Sequence, residues 1–226
     1  KGDRHPGIAL ALCEAGTDAP QLVTPPAGRH WSRSAVLDWL LCHSDDDMIF
    51  GFDFSFAPPF MARGSYLPGE TVPDTAIAFQ AHVDSLCDDA DLGAASFLES
   101  HYRRHFCFGA ADGRKADYMH LRACEAHYNA QGGGKPSTVF DAIGAAQVAK
   151  ASFAGMRLLA RLRDRIAVWP FDPLPARGAV VVEIYAQIAA RAAGLRKGLS
   201  KIRDAAGLDT ALAALGSAPH APLDRY

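Results

Sequence analysis

The sequence has no long hydrophobic run and no excess of either charge. No apolar stretch approaches the roughly 18 residues that a membrane span needs, and no signal peptide is visible. The 23 Lys and Arg residues nearly balance the 25 Asp and Glu residues, so the formal net charge is -2. A membrane partner is therefore not expected. A nucleic-acid partner would have to bind a local basic patch, because the global basic footprint of many nucleic-acid-binding proteins is missing.

Cysteine is sparse, and its spacing excludes two common uses. There are five cysteines, an odd number, and no pair has the C-x-x-C spacing. This pattern is neither a disulfide framework nor a zinc ribbon. Scattered thiols are typical of a reducing compartment, so we predict a cytoplasmic protein.

Several catalytic motifs are also missing. The sequence has no G-x-S-x-G elbow and no G-x-G-x-x-G after a predicted strand, which argues against an α/β serine hydrolase and a Rossmann dinucleotide site. The segment 132–138 only resembles a P-loop, because Pro136 separates Lys135 from Ser137 and a helix precedes it. His101 and His105 have the i, i+4 spacing of zinc proteases, but Tyr102 stands where those enzymes carry Glu. Packed or solvated histidines are the better interpretation.

The pattern of apolar residues predicts an α/β fold. With 226 residues, 49% of them hydrophobic, the chain can form one sizeable domain over 1–226. A hairpin followed by helices and strands indicates a mixed sheet flanked by helices, with a helical insertion over residues 60–134. The predicted strands are 8–13, 21–24, 48–56, 166–171 and 179–185, and the predicted helices are 31–42, 75–87, 94–106, 116–130, 137–164, 186–193 and 208–215.

Two carboxylates interrupt two apolar strands. Asp53 lies in the run Met48–Phe56, and Glu183 lies in the β-branched run Ala179–Tyr185. An ionised carboxylate that is buried without a partner costs several kcal/mol, so such groups are usually paired, hydrogen-bonded or metal-bound. Two acids on two such strands suggest a shared site that binds a divalent cation. The alternative is that each acid caps a helix or pairs with an arginine.

Basic residues form one notable cluster. Arg191 and the basic residues that follow it up to Arg203 could contact phosphates, together with Arg103 and Arg104. A solvated surface is the alternative interpretation. Our candidates for phosphate or substrate contacts are Arg122, Lys150 and Arg191.

The order of several short motifs resembles a bacterial domain-of-unknown-function family of predicted nucleases with an RNase H-like fold. The similar segments run from the Asp53 strand to the Glu183 strand and are Gly51–Phe56, Arg122–Glu125, Ser137–Phe140, Gly144–Val148, Gly155–Met156, Val168–Pro173 and Val182–Tyr185. The chain departs from the family pattern at Ala186 and Gln187, where proline and arginine are expected.

The resemblance implies an RNase H-like mixed sheet and a two-metal carboxylate centre. Asp53 and Glu183 match two of the family's acids, which makes them the candidate catalytic and metal-binding residues, with Mg²⁺ or Mn²⁺ as the cofactor. The family's first-strand acid and a last-helix acid have no match here. We therefore expect that the sequence lacks both ends of the natural chain.

The function that these observations favour is divalent-metal-dependent hydrolysis of phosphodiesters in nucleic acid. The alternative is a non-catalytic binding or scaffold protein on an RNase H-like fold, because a fold does not determine function. Phosphotransfer by a sugar-kinase relative of the fold has weaker support, since no glycine-rich phosphate loop is present. We expect the insertion to pack beside the site.

Overall fold

The computed structural model of the chain describes residues 7–14, 16, 18–60, 64–109, 121–134, 136–143, 147–195, 202 and 204–220. Within these ranges, no helix is long and apolar enough to cross a membrane. The elements in chain order are β1 (Leu10–Leu12), β2 (Gln21–Val23), α1 (Arg33–Cys42), β3 (Ile49–Phe52), α2 (Ala76–Ser85), α3 (Ala123–Ala130), α4 (Val148–Leu162), β4 (Ala167–Val168), β5 (Val180–Glu183), α5 (Ala186–Ala192) and α6 (Ala205–Ala214). The predicted mixed α/β class is confirmed.

The chain divides into two compact units, of which the first comprises Lys1–Ala35 and Tyr185–Tyr226. It contains the predicted hairpin, in which β1 and β2 pair antiparallel with Leu10 opposite Val23. It also contains α5 and α6. Helix α6 begins after Asp204, because the Asp204 carboxylate accepts a hydrogen bond from the Gly207 N–H at 2.7 Å. The assignment of 1–226 to a single domain stays a prediction.

The second unit, Val36–Ile184, contains a three-stranded parallel sheet in the order β3-β5-β4. The β-branched residues Val180, Val181 and Val182 form the central strand, which suits their preference for a sheet buried on both faces. In the described residues the hairpin and the parallel strands belong to separate sheets, whereas the sequence predicted one mixed sheet.

Aromatic side chains from the predicted insertion and from α4 form one hydrophobic core. Phe79 of α2, Phe97 and Phe106 surround Phe153 of α4, and all four are at most 3% exposed. The ring centroids of Phe97 and Phe106 lie 5.1 and 5.0 Å from that of Phe153. Residues 60–134 are thus not a peripheral layer, because their described part supplies much of the core of this unit.

The long helix predicted over 137–164 begins only at Val148. Before it, Val139, Phe140 and Ala142 enter the core as part of a loop. Backbone hydrogen bonds hold this loop to Cys107, whose N–H donates to Phe140 O at 3.0 Å and whose carbonyl accepts from the Ala142 N–H at 2.9 Å. Tertiary pairing therefore overrides the helical pattern here. The Gly144 of that pattern lies outside the described residues.

The helix predicted over 94–106 is also interrupted. A π-helical turn spans Ser96–His101 and a 3-10 turn spans Arg103–His105. The Tyr102 N–H donates to Phe97 O at 3.1 Å, a five-residue step that ends the first turn. This break turns His105 into the interior, where it is 1% exposed.

Candidate functional site

The carboxyl ends of β3 and β5 meet at one edge of the parallel sheet. The two strands are neighbours, and Phe52, the last residue of β3, is opposite Glu183, the last residue of β5. The Ile184 N–H continues this pairing by donating to Phe52 O at 2.9 Å. Asp53 follows Phe52 directly. Both predicted acids therefore leave their strands at the same edge, the edge where functional groups gather in parallel sheets.

Asp53 does not lie in the buried middle of a strand, as the sequence predicted. Strand β3 ends at Phe52, and Asp53 is an exposed residue in the bend that follows. The prediction that Asp53 is buried in a strand is therefore wrong. Its place at the end of a strand, in contact with solvent, is nevertheless one from which a carboxylate can reach a ligand.

The loop that carries Asp53 is fastened to several parts of the structure. The ring of Phe54 packs on α4 at Gly155, where a Cβ atom would lie only 2.3 Å from the ring. The Ser55 N–H donates to Ser152 Oγ at 3.1 Å. The Phe56 carbonyl accepts from the Gln80 side chain at 2.8 Å. Because Gly155 has no side chain, the Phe54 ring can approach α4 closely here.

Glu183 is held by an arginine and by the Asp53 loop. Arg122 donates from Nη1 to Glu183 Oε2 at 2.8 Å and from Nη2 to Oε1 at 2.5 Å. The Phe56 N–H donates to Oε2 at 2.9 Å. The Glu183 side chain is 26% exposed and that of Arg122 is 18% exposed. For Glu183, the structure thus contains the arginine pairing that the sequence left open as the alternative to a metal.

Arg122 binds a second carboxylate at the start of α3. Its Nε donates to Glu125 Oε1 at 3.0 Å, and its backbone N–H donates to Glu125 Oε2 at 2.8 Å. Burial alone would lower the pKa of Arg122, but the hydrogen bonds and charges of Glu183 and Glu125 outweigh it and raise that pKa. One guanidinium therefore faces two carboxylates, an arrangement that leaves an excess of one negative charge.

The remaining predicted residues lie elsewhere. Lys150 is exposed on α4, and Arg191 is half-buried on α5, in the other compact unit. Arg196, Lys197, Lys201 and Arg203 of the basic cluster lie outside the described residues. Arg103 stacks over the Phe108 ring at 4.0 Å. Among the predicted phosphate contacts, Arg122 binds Glu183. Because Arg122 belongs to residues 60–134, part of the predicted insertion lies beside this edge, as expected.

A larger metal-ligand cluster is not found in the part of the chain that the structure describes. No group of three or more His, Cys, Asp or Glu side chains there is arranged to hold a metal ion. His105 is packed in the interior rather than placed as a metal ligand, and its Nε2 lies 2.8 Å from Glu70 Oε1. Burial lowers the pKa of His105, and Glu70 only partly offsets this effect.

A second ion pair lies at the opposite, amino ends of the same strands. Asp47 precedes β3, Arg177 precedes β5, and Arg177 Nε lies 2.9 Å from Asp47 Oδ2. The Gly178 N–H donates to Asp47 Oδ1 at 2.7 Å. The Arg177 and Asp47 side chains are 87% and 54% exposed. We call this pair the amino-edge pair, and we call Arg122, Glu125 and Glu183 the carboxyl-edge cluster.

Sequence reasoning missed three residues that organise the carboxyl edge: Glu125, Ser152 and Gln80. Glu125 could have been found, because a Glu three residues after a helix N-cap is the spacing of a capping box. The contacts of Ser152 and Gln80 join distant parts of the chain and leave no local signal.

Comparison with known proteins finds no matching protein family, no matching curated protein and no matching solved structure. The family resemblance and the activity that it implies therefore stay predictions.

Proposed function

We propose that the protein is a divalent-metal-dependent nuclease that hydrolyses phosphodiester bonds at the carboxyl edge of β3 and β5. We also propose that its sheet is of the RNase H-like type. One observation carries most weight. Asp53 and Glu183, selected independently from the sequence, leave neighbouring parallel strands at adjacent positions, with Phe52 and Glu183 in register.

The residues at this edge suit a divalent cation in charge and donor type. Mg²⁺ and Mn²⁺ prefer carboxylate oxygens, and Asp53 is an exposed acidic residue at this edge. The carboxyl-edge cluster carries two negative charges for one positive charge, so together with Asp53 the edge is net acidic. Asp53 and Glu183 would hold the cation, although Arg122 already occupies both oxygens of Glu183.

Each residue has a distinct part in this proposal. A cation bound here would activate water and stabilise the leaving oxygen of a phosphodiester. Asp53 would hold the cation from its exposed position, and the contacts of Phe54, Ser55 and Phe56 fix the loop that carries Asp53. Lys150 and Arg191 are proposed to contact nucleic-acid phosphates. The proposed location is the cytoplasm, on the evidence of the cysteine spacing.

A second function is favoured by a specific contact. Arg122 and Glu183 form a bidentate pair that satisfies both carboxylate oxygens, as expected of an acid with a structural role. On this alternative the protein is a non-catalytic binding or scaffold protein, and the acids at the edge stabilise the fold.

The experiment compares wild type with Asp53→Asn and with the matched control Asp47→Asn, which removes one acid at the opposite end of the same strand. Cleavage of junction, duplex and single-stranded substrates is assayed with Mn²⁺ and Mg²⁺, and melting temperatures are measured with and without each metal. We expect the metal to raise the melting temperature of wild type and of Asp47→Asn, because a ligand that binds only the folded state stabilises it.

Asp53→Asn should lose that gain and any cleavage while its melting temperature without metal stays near that of wild type. An equal rise in melting temperature with metal in all three proteins would show that Asp53 is not part of the metal site. A metal response at Asp53 without cleavage of any substrate would favour the binding or scaffold alternative.

A further inference from the structure

Gln80 is a polar residue in an apolar core. It lies on α2 next to Phe79, and both residues are fully buried. A buried amide is tolerated only when its hydrogen bonds are made. Gln80 makes them at both ends of its amide: Nε2 donates to Phe56 O at 2.8 Å, and Oε1 accepts from Arg163 Nη2 at 3.1 Å.

The two partners of Gln80 require an amide at this position. A backbone carbonyl only accepts and a guanidinium only donates, so the side chain between them needs one donor and one acceptor. Among side chains of this length, glutamine has both, whereas an ionised glutamate lacks the donor, and so does methionine. The orientation of the Gln80 amide is therefore fixed by its partners.

Arg163 is held in turn by an acid that is bound to the sheet. Arg163 Nη1 donates to Asp172 Oδ1 at 2.8 Å, and Asp172 Oδ2 accepts from the Val168 N–H at 2.8 Å. Val168 is the last residue of β4 and is buried. Gln80 is thus connected to the parallel sheet through two side chains, Arg163 and Asp172.

At its other end, the Gln80 amide fixes the residue that holds Glu183. Phe56 is buried, its carbonyl binds Gln80, and its N–H donates to Glu183 Oε2 at 2.9 Å. Glu183 binds Arg122 through both carboxylate oxygens. A displacement of the Phe56 backbone would therefore move the Glu183 carboxylate and the guanidinium that is paired with it.

We propose that Gln80 is a positioning residue of the carboxyl edge, which acts through the Phe56 backbone to set where the Glu183 carboxylate and the Arg122 guanidinium lie. Gln80 is not a member of the carboxyl-edge cluster. Its role goes beyond the proposed function, because it concerns the geometry of the edge and holds for the catalytic and for the binding alternative. Displacements of about 1 Å can cost about 100-fold in rate at a catalytic site, so this geometry matters for any ligand that the edge binds.

The test is nuclear magnetic resonance on wild type, Gln80→Glu, Gln80→Met and the control Val83→Ala. Val83 is a buried residue of the same helix, so its truncation lowers stability by leaving a cavity and removes no side-chain hydrogen bond. Two signatures are measured. One is the hydrogen-exchange protection of the Phe56 N–H, and the other is the separation of the Arg122 Nη1 and Nη2 resonances, which stay distinct while Glu183 holds the guanidinium.

In both Gln80 variants at neutral pH, we expect the Phe56 amide to lose protection on the order of tenfold and the two Arg122 resonances to merge, because the Phe56 carbonyl has lost its donor. Val83→Ala should keep both signatures at their wild-type values although its melting temperature falls. On acidification the new carboxyl group of Gln80→Glu takes up a proton and can donate to Phe56 O. This variant should then regain Phe56 protection, measured against wild type at the same pH, whereas Gln80→Met should not.

Asp172→Asn gives a milder change if the Gln80 variants do not fold. It weakens the hold on Arg163 from a position that is 22% exposed, and we expect the same two changes to be several-fold smaller. Unchanged Phe56 and Arg122 signatures in all variants that fold would overturn the proposed role of Gln80. Equal changes in Val83→Ala would show a general loosening of the core and would overturn it as well.

Failure of the proposed function is seen separately. Absence of metal binding and of cleavage in wild type would overturn the nuclease proposal, but the two signatures are measured without metal or substrate. Loss of both signatures in the Gln80 variants alone would therefore support the positioning role whether or not the protein cleaves nucleic acid.

Discussion

The two ends of the parallel sheet use the same chemistry in different surroundings. At each end an arginine and one backbone N–H bind a carboxylate: Arg177 and Gly178 bind Asp47, and Arg122 and Phe56 bind Glu183. The amino-edge pair is largely exposed, whereas Arg122 and Glu183 are 18% and 26% exposed. Exposed pairs contribute little to stability, because water and salt screen them.

The difference lies in what surrounds each pair. The carboxyl edge adds a second acid, Glu125, and joins the cluster to the Asp53 loop. Charges that are partly shielded from water interact more strongly. The carboxyl-edge cluster also has one more carboxylate than guanidinium, and this excess negative charge favours binding of a positively charged ligand. Burial and charge balance, rather than the presence of an ion pair, therefore distinguish the carboxyl edge from the amino edge.

The largest effect is expected for Glu183→Ala. The change leaves the Arg122 guanidinium and the Phe56 N–H without their acceptor, and both are largely shielded from water. We expect a loss of about 2–3 kcal/mol in the free energy of unfolding, below the upper range for buried pairs because Glu125 still binds Arg122. Urea unfolding measures this loss. A loss below about 0.5 kcal/mol, the range of exposed pairs, would make the two edges equivalent.

A smaller effect is expected for Gly155→Ala, which disrupts the packing of Phe54, in the loop that carries Asp53, against α4. The added Cβ would lie 2.3 Å from the Phe54 ring, so the ring has to move. Overpacking costs about 1–3 kcal/mol, and the better helix propensity of alanine returns up to about 1 kcal/mol, so the net loss should be about 1–2 kcal/mol.

The exposed position Ala151 on the same helix gives the control, since Ala151→Gly measures the propensity effect alone. Urea unfolding of both variants separates the two contributions. If Gly155→Ala were more stable than wild type, Phe54 would not pack tightly against Gly155, and the loop that carries Asp53 would not be held by this contact.

The smallest effect is expected for Arg177→Ala at the amino edge. The Arg177 side chain is 87% exposed, so the change should cost less than about 0.5 kcal/mol. In roughly 1 M salt, where the Debye length is about 3 Å, even this difference should vanish. Unfolding curves at low and high salt test this point. A loss as large as that of Glu183→Ala would show that exposure does not separate the edges.

Local sequence patterns predicted the elements that local interactions stabilise. The predicted helix 75–87 contains α2, and its N-cap Thr75 accepts a hydrogen bond from the Ala78 N–H through the hydroxyl. The valines at 180–182 lie in a strand, as predicted. The predicted strands 8–13 and 21–24 contain β1 and β2, which pair as a hairpin as expected.

The features that the sequence could not predict depend on distant partners. The apolar run after Met48 continues to Phe56, so a strand through Asp53 was the natural prediction. Strand β3 ends at Phe52, and beyond it the amides of Ser55 and Phe56 bind the side chains of Ser152 and Glu183, 97 and 127 residues away, instead of a neighbouring strand. The late start of α4 has the same cause, since the loop before it pairs with Cys107.

The candidate site was predicted in part. Both acids were selected because a carboxylate interrupts an apolar run, and both do leave their strands at one edge. The arginine that neutralises Glu183 was considered only as a general alternative. Its identity could not be derived from the sequence, because Arg122 and Glu183 are 61 residues apart.

Arg122 and Glu183 act as one coupled pair at the carboxyl edge. A double-mutant cycle of Arg122→Gln and Glu183→Gln, followed by urea unfolding, measures this coupling directly, and the same cycle on Arg177 and Asp47 supplies the reference. We predict a coupling free energy of about 1.5–3 kcal/mol for the first pair and less than about 0.5 kcal/mol for the second. Equal coupling in the two cycles, or none between Arg122 and Glu183, would contradict the account.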